Sequence, residues 1–253
     1  MILSHLLLVP ISFAAGIIAS VAGGGAFLTF PALMLTGLDP RAANITSTLA
    51  MYPMQVSTGF SGRKSAADTP HLSFKALFLI SLFGGIAGAI LLLLTPATSF
   101  ARLIPWLILF STGVFAWGSF RKKPPVKSTT IRPPDRLGKI GAALVQLVIS
   151  IYGGYFGGGI GLVMLATLSY SGMNIRQAIT TKNILAAVMN TSAVGVFLLS
   201  TDVYWFRVGL VSIAATTGGL VGVQLIDKVN ERHLRLGITA IGLVLALTLF
   251  VRR

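Results

Sequence analysis

The 253-residue chain has no cysteine. That excludes disulfides, thiolate-held metals and a cysteine nucleophile. Acids are nearly as scarce: Asp39, Asp68, Asp135, Asp202, Asp227 and Glu231 are all there are, against 20 Lys and Arg. Each falls near the end of an apolar segment or between two segments. None is placed at mid-span, where cation- and proton-coupled carriers often keep a carboxylate. His5, His71 and His233 are scattered. Without paired carboxylates, metal-spaced histidines or a Ser-His-Asp set, neither an enzyme nor a bound cofactor is expected. Charge as a whole is also short, at 10% of residues against 54% hydrophobic, where soluble domains carry about 25% charged residues. So few charges cannot cover a water-facing surface, and the class is integral membrane protein with the lipid bilayer as partner.

The charge that is present has one sign. Net charge is +14, and the bases sit mainly in short loops between apolar runs. That is how membrane chains hold loops in the cytoplasm. No aromatic-basic motif points to nucleic acid, and none is expected as a partner. The first apolar run has no Lys or Arg before it, so it reads as a retained membrane segment rather than a secretory signal.

Ten apolar segments can be drawn, at roughly 2–22, 26–38, 42–60, 73–95, 100–120, 137–156, 160–172, 177–200, 204–226 and 233–251. Eight are long enough, at about 1.5 Å per residue, to span a hydrocarbon core of about 30 Å. The two short ones each follow a triple glycine: Gly23-Gly24-Gly25 and Gly157-Gly158-Gly159. Arg, Ala and Thr then recur in order, as Arg41, Ala43, Thr46 and Arg176, Ala178, Thr181. The chain therefore divides into a first membrane repeat, 1–120, a basic cytoplasmic linker, 121–139, and a second membrane repeat, 140–253. The linker carries seven bases, one acid and four prolines, which marks it as extended and solvated.

Loop charge sets the relation between the halves. With the linker inside, the loop of Arg63, Lys64 and Lys75 is also inside. In the second half the loop of Lys228, Arg232 and Arg235 is inside, and the loop around Asp202 is outside. Equivalent loops then lie on opposite faces, as in inverted repeats. Arg252 and Arg253 fall outside in this arrangement. Parallel halves of four spans would place them inside, but would move Lys228, Arg232 and Arg235 outside. The expected fold is an all-α integral membrane protein of two repeats of about five helical segments each, inverted, with short glycine-broken helices at their interface.

A glycine break at membrane depth exposes backbone N–H groups beside the positive end of the next half-helix, which suits an anion. The competing reading is close helix packing, and this is preferred for Gly84, Gly85 and Gly88 and for Gly218, Gly219 and Gly222. Polar residues on the third segment of each half form a second constellation. The first half offers Asn44, Thr46, Ser47, Thr48 and Gln55, and the second Thr180, Thr181, Lys182, Asn183, Asn190, Thr191 and Ser192. Lys182 either faces a pocket, since ionisable groups at depth default to function, or snorkels to an interface. Arg41 and Arg176 either anchor the surface or attract an anion at a cavity mouth. Asp39 stands close enough to pair with Arg41. Donors and a lysine without a carboxylate suit a small anionic substrate. Its exit from a negative-inside cell is favoured by roughly 2.3 kcal/mol per charge per 100 mV.

These residues resemble a known family. Gly23-Gly24-Gly25, Phe30-Pro31-Ala32-Leu33 and the run from Ala43 to Leu49 are similar to the first-half signature of the TauE/SafE sulfite exporter family. Gly157-Gly158-Gly159 and the run from Ala178 to Asn183 resemble its second-half signature. Length, duplication and basic linker match as well, so the resemblance covers the whole chain. It implies a permease of the bacterial inner membrane, multi-pass, for small sulfur-containing anions such as sulfite, thiosulfate or short organosulfonates. It also implies one site built from both halves. The residues carried over are Gly23, Gly24, Gly25, Thr46 and Ser47 from the first half, and Gly157, Gly158, Gly159, Thr181, Lys182 and Asn183 from the second. Ser47 stands where the family's motif often has Asn. Export by alternating access is the leading expectation. An ion-coupled importer and a non-transport membrane subunit are the alternatives, and assembly as a homo-oligomer is left open.

Overall fold

A computed structural model of the chain describes residues 2–21, 24–61, 67–120, 136–173, 175–225 and 231–251. Ten helices account for nearly all of them, and no strand occurs among the described residues. The first half holds α1 (Ile2–Val21), α2 (Ala26–Leu35), α3 (Pro40–Ser61), α4 (Phe74–Leu94) and α5 (Ala97–Phe120). The second holds α6 (Arg136–Tyr155), α7 (Ile160–Tyr170), α8 (Ile175–Phe197), α9 (Trp205–Leu225) and α10 (Glu231–Val251). The two short helices are α2, with 10 residues, and α7, with 11. Among the described residues, three helical stretches are long and apolar enough to cross a membrane: Phe74–Leu94, Ala97–Val114 and Trp205–Gln224. α3 and α8 have the length but carry the polar constellation.

Local chemistry sets the helix ends. α3 starts two residues before the apolar run because Pro40 occupies its first position, where a missing N–H costs nothing. Asp39 Oδ1 accepts from the amides of Arg41 (3.0 Å) and Ala42 (3.2 Å), capping the first turn. Ser73 Oγ accepts from the Ala76 amide in the same way at α4. α2 and α7 stop at matching glycines, Gly37 (φ +89) and Gly172 (φ +90), because a left-handed residue after a helix strongly favours glycine. α6 begins at Arg136 and so takes in the last four residues assigned above to the linker. Residues 121–135 lie outside the described residues.

The helices pack in a pattern that repeats when the halves are exchanged. α1 lies on α9 and α4 on α6; α3 contacts α9 and α8 contacts α4; α2 lies on α3 and α7 on α8. α3 meets α8, and α5 meets α10. Glycines allow the closest crossings, as their spacing suggested. A Cβ on Gly218 would collide with the Phe13 carbonyl, and one on Gly222 with Ser20 and Ile17. Equally, a Cβ on Gly84 would collide with Ser150, and one on Gly88 with the Ile151 carbonyl and the Tyr155 amide. Numbers rise together along each of these two pairs, so the helices are parallel. α3 and α8 run the other way: Gly59 sits by Asn183 and Ala187, while Gln55 meets Asn190 and Tyr52 meets Thr191. Large side chains such as Phe83, Trp106, Phe110, Phe206 and Leu247 stand outward, as on a lipid-facing surface.

Candidate functional site

Both glycine breaks arrive at the middle of the bundle. α1 turns back into α2 near the midpoint of α3. Gly25 lies against Met51, and one turn on, Thr29 Oγ1 and Ser47 Oγ share a 2.6 Å hydrogen bond. The second break reaches α3 from the other half: the Tyr155 carbonyl accepts from Asn44 Nδ2 at 3.1 Å, and Gly157 stands by Thr48. Phe156 and Phe30 then meet edge to face, with ring centroids 5.8 Å apart.

The two breaks use glycine differently. Gly157 (φ +70) and Gly159 (φ +74) are left-handed, a conformation that costs other residues about 1–2 kcal/mol. Gly25 is right-handed (φ −58), so its need is space. A Cβ there would fall 2.6 Å from the Ala15 carbonyl and 2.7 Å from Ala19 Cβ. Gly159 is confined as well, since a Cβ would meet Ser111 at 2.8 Å and the Phe27 ring at 2.9 Å. The Gly158 carbonyl is held by Tyr152 Oη at 2.9 Å. The Gly24 carbonyl accepts from the Phe27 amide at 3.1 Å. Gly23 lies outside the described residues.

Between the breaks is a small, partly open cavity of about 50 Å³. Gly25 and Ala26 line it at the start of α2, and Gly157, Ile160 and Gly161 at the start of α7. The positive ends of two helix dipoles thus meet at one space, with the Phe27, Leu28 and Ile160 amides already held by the Gly24, Gly25 and Gly157 carbonyls. Asn44, Ser47, Thr48 and Gln55 of α3 face Lys182, Asn183 and Asn190 of α8 across it, and Met51, Met54, Phe156 and Ala186 supply apolar wall. Of the residues expected at the site, Gly25, Ser47, Gly157, Lys182 and Asn183 line this cavity. Gly24, Gly158, Gly159, Thr46 and Thr181 do not. Thr46 Oγ1 is buried without a hydrogen-bond partner, and Thr181 Oγ1 accepts from the Ala67 amide at 3.3 Å.

Lys182 is 1% exposed, which decides against a lysine that snorkels to an interface. No carboxylate pairs with it among the described residues, where the one ion pair is Arg41–Asp202. Arg41 stands one turn before Asn44, at the end of the cavity, and is engaged there. Its Nη2 lies 2.7 Å and its Nε 2.9 Å from Asp202 Oδ2. Asp39, the nearer acid in sequence, caps α3 with Oδ1. Arg176 lies in the first turn of α8, and its side chain is outside the described residues.

A profile of the family described as "Sulfite exporter TauE/SafE" matches residues 8–249. The chain belongs to this family. Curated relatives carry matching names. It is 28% identical over 221 residues to a "Probable membrane transporter protein" of Haemophilus influenzae, covering 85% of this chain and 80% of the relative. It is 27% identical over 240 residues to "Probable membrane transporter protein YfcA" of Escherichia coli K12, covering 93% and 86%. A third, "Probable membrane transporter protein ORF9" of Sinorhizobium, is 28% identical over 244 residues, covering 94% and 89%. No solved structure matches the chain. Family and relatives make this chain a membrane transporter.

Several lining residues were not among those carried over to the site, although Asn44, Thr48, Gln55 and Asn190 stood in the polar constellation read from sequence. Asn190 Nδ2 donates to Gln55 Oε1 across the cavity. Counting from Arg41 and Arg176, the two hold the same position in their halves. Asn44, Thr48, Met51 and Phe156 also reach the lining. Their signal was present, since positions 44, 47, 48, 51 and 55 share one face of α3 at helical spacing. Thr46 falls outside that set, as Thr181 does on α8. Tyr152, which pins the second break, gave no signal, because a tyrosine in an apolar helix is ordinary.

Proposed function

We propose that the chain is a multi-pass permease of the bacterial inner membrane that exports small sulfur-containing anions, such as sulfite, thiosulfate or short organosulfonates, by alternating access. The observation that carries this reading is Lys182. It is buried, it faces the cavity, and no acid neutralises it among the described residues. A charge removed from water without a partner costs several kcal/mol, so the site is incomplete until a negative ligand arrives. The starts of α2 and α7 add positive ends to the same space, while hydroxyls and amides of Ser47, Thr48 and Asn183 are placed to orient oxyanion oxygens. The apolar wall leaves room for a short organic tail. Membership of a sulfite exporter family supports sulfur oxyanions among the small anions that would fit.

The halves are read as inverted repeats. The antiparallel α3–α8 pair and the exchange-symmetric packing support this, and so does the positive-inside charge of their loops. A site between inverted halves can be exposed to either face by rocking one half against the other. The test is efflux from vesicles carrying the purified protein, with labelled sulfite, thiosulfate and organosulfonates, under an imposed potential and with or without a pH gradient. Export driven by potential alone, and abolished by Lys182→Ala without loss of folded protein, is the expected result. Undiminished flux in that variant removes Lys182 from the site. Flux that requires the pH gradient replaces uncoupled export with a coupled carrier.

A further inference from the structure

We propose that the Arg41–Asp202 ion pair is a latch that holds one end of the cavity shut and must release for substrate to pass. The inference rests on the reading that this cavity is the anion site. The pair joins the two halves: Arg41 opens α3, and Asp202 lies between α8 and α9. Arg41 Nη1 also donates to the Thr95 carbonyl at 3.2 Å, in the turn between α4 and α5. One guanidinium thus ties two segments of the first half to the Asp202 segment of the second, and the tie to Asp202 must part if the halves rock apart. The side chains are 25% and 26% exposed. An ion pair that water reaches is weak enough to open and re-form, whereas a fully buried one resists breaking.

The latch is wired to the cavity. Tyr155 Oη donates to Thr95 Oγ1 at 3.4 Å, and the Tyr155 carbonyl holds Asn44, which lines the cavity. Phe100 packs beneath, with its ring centroid 5.5 Å from that of Tyr155 and 6.4 Å from that of Phe156. These rings make a layer between the ion pair and the cavity. Release of Arg41 would remove its tie to the turn that carries Thr95, and through Tyr155 that change reaches the carbonyl that marks the cavity's edge. Asp39, the nearer acid in sequence, and the α3 amides it caps are already engaged with one another. They leave Asp202 as the partner that closes the latch.

The absence of native cysteine makes the test direct. A single cysteine is placed in the cavity as Ala186→Cys, and separately as Met54→Cys. A membrane-impermeant thiol reagent is then added to vesicles from the side that carries Asp202. Arg41→Ala and Asp202→Asn should each raise the labelling rate about fivefold, in keeping with the weak energy of a half-wet ion pair. The swap Arg41→Asp with Asp202→Arg should return it toward the parent rate. A cysteine at exposed Gly195, where nothing lies within 4 Å, should label alike in every background. Parental labelling in both single variants overturns the latch. So does a swap that labels as fast as the singles, or a rise at position 195, which would mean general loosening. Labelling needs no substrate, so failure of the sulfur-anion reading leaves its outcome standing.

Discussion

Replacing Lys182 with methionine should make the empty protein more stable while abolishing transport. The two side chains have similar length, so Lys182→Met removes charge with little change in volume. Lys182 is 1% exposed, and no carboxylate pairs with it among the described residues. Substituting even paired buried charges with apolar groups often stabilises a protein by about 1–4 kcal/mol, and an unpaired lysine has less to lose. The lower half of that range, about 2 kcal/mol, corresponds to about 4–8 °C in the melting temperature of a chain this long. Ligand should reverse the order. An anion at 100 times its dissociation constant stabilises the binding-competent protein by about 2.7 kcal/mol. The parent's melting temperature should therefore climb with sulfite or a sulfonate, while that of the variant stays flat. The assay is a melt of purified protein in detergent, followed by tryptophan fluorescence, with and without each anion and at constant ionic strength. Two results refute the reasoning. If the variant melts below the parent without anion, the lysine has a partner that stabilises it. If anions still raise its melting temperature, the lysine is not what holds them.

Alanine should destabilise the close crossings: Gly154→Ala and Gly16→Ala push a Cβ into the Gly85 and Ala215 carbonyls and should cost about 1–3 kcal/mol. Gly195→Ala, with open space around it, should be neutral or gain up to about 1 kcal/mol, so equal melting of all three would contradict the packing. Gly157→Ala meets one tight contact, the Gly153 carbonyl at 3.3 Å, and should lose mainly the left-handed backbone term of about 1–2 kcal/mol. Gly159→Ala adds a collision with Ser111 and Phe27 and should melt lower still. Tyr152→Phe removes the hydrogen bond to the Gly158 carbonyl and should cost about 1 kcal/mol, with the second break exchanging amide hydrogen faster than the first.

How far the sequence carries depends on which interaction fixes each feature. Helix number and length followed from hydropathy alone, because apolar runs in lipid have no other way to satisfy their backbone. The two short helices were visible because the triple glycines interrupt those runs. Ends moved by up to a few residues, as where Asp39 and Pro40 start α3, where Arg136 extends α6 into a basic stretch, and where α5 begins at Ala97 and α8 stops at Phe197. The site was half legible. Polar residues on α3 and α8 stood out against lipid, yet polarity does not say which way a residue turns. Ser47 and Lys182 face the cavity, while Thr46 and Thr181, one residue before each, point elsewhere. Helical phase would have separated them, since adjacent residues sit about 100° apart. The partner of Arg41 could not be read from spacing, because Asp39 is near in sequence while Asp202 is brought close only by the fold. The two triple glycines show the same limit from the other side. The repeat is plain in sequence, but Gly25 is required for space and Gly157 for its backbone angle. One motif therefore answers to two physical demands, and an alanine scan of both copies would separate them: a methyl at 25 must displace Ala15 and Ala19, whereas a methyl at 157 strains mainly its own dihedral and presses lightly on the Gly153 carbonyl.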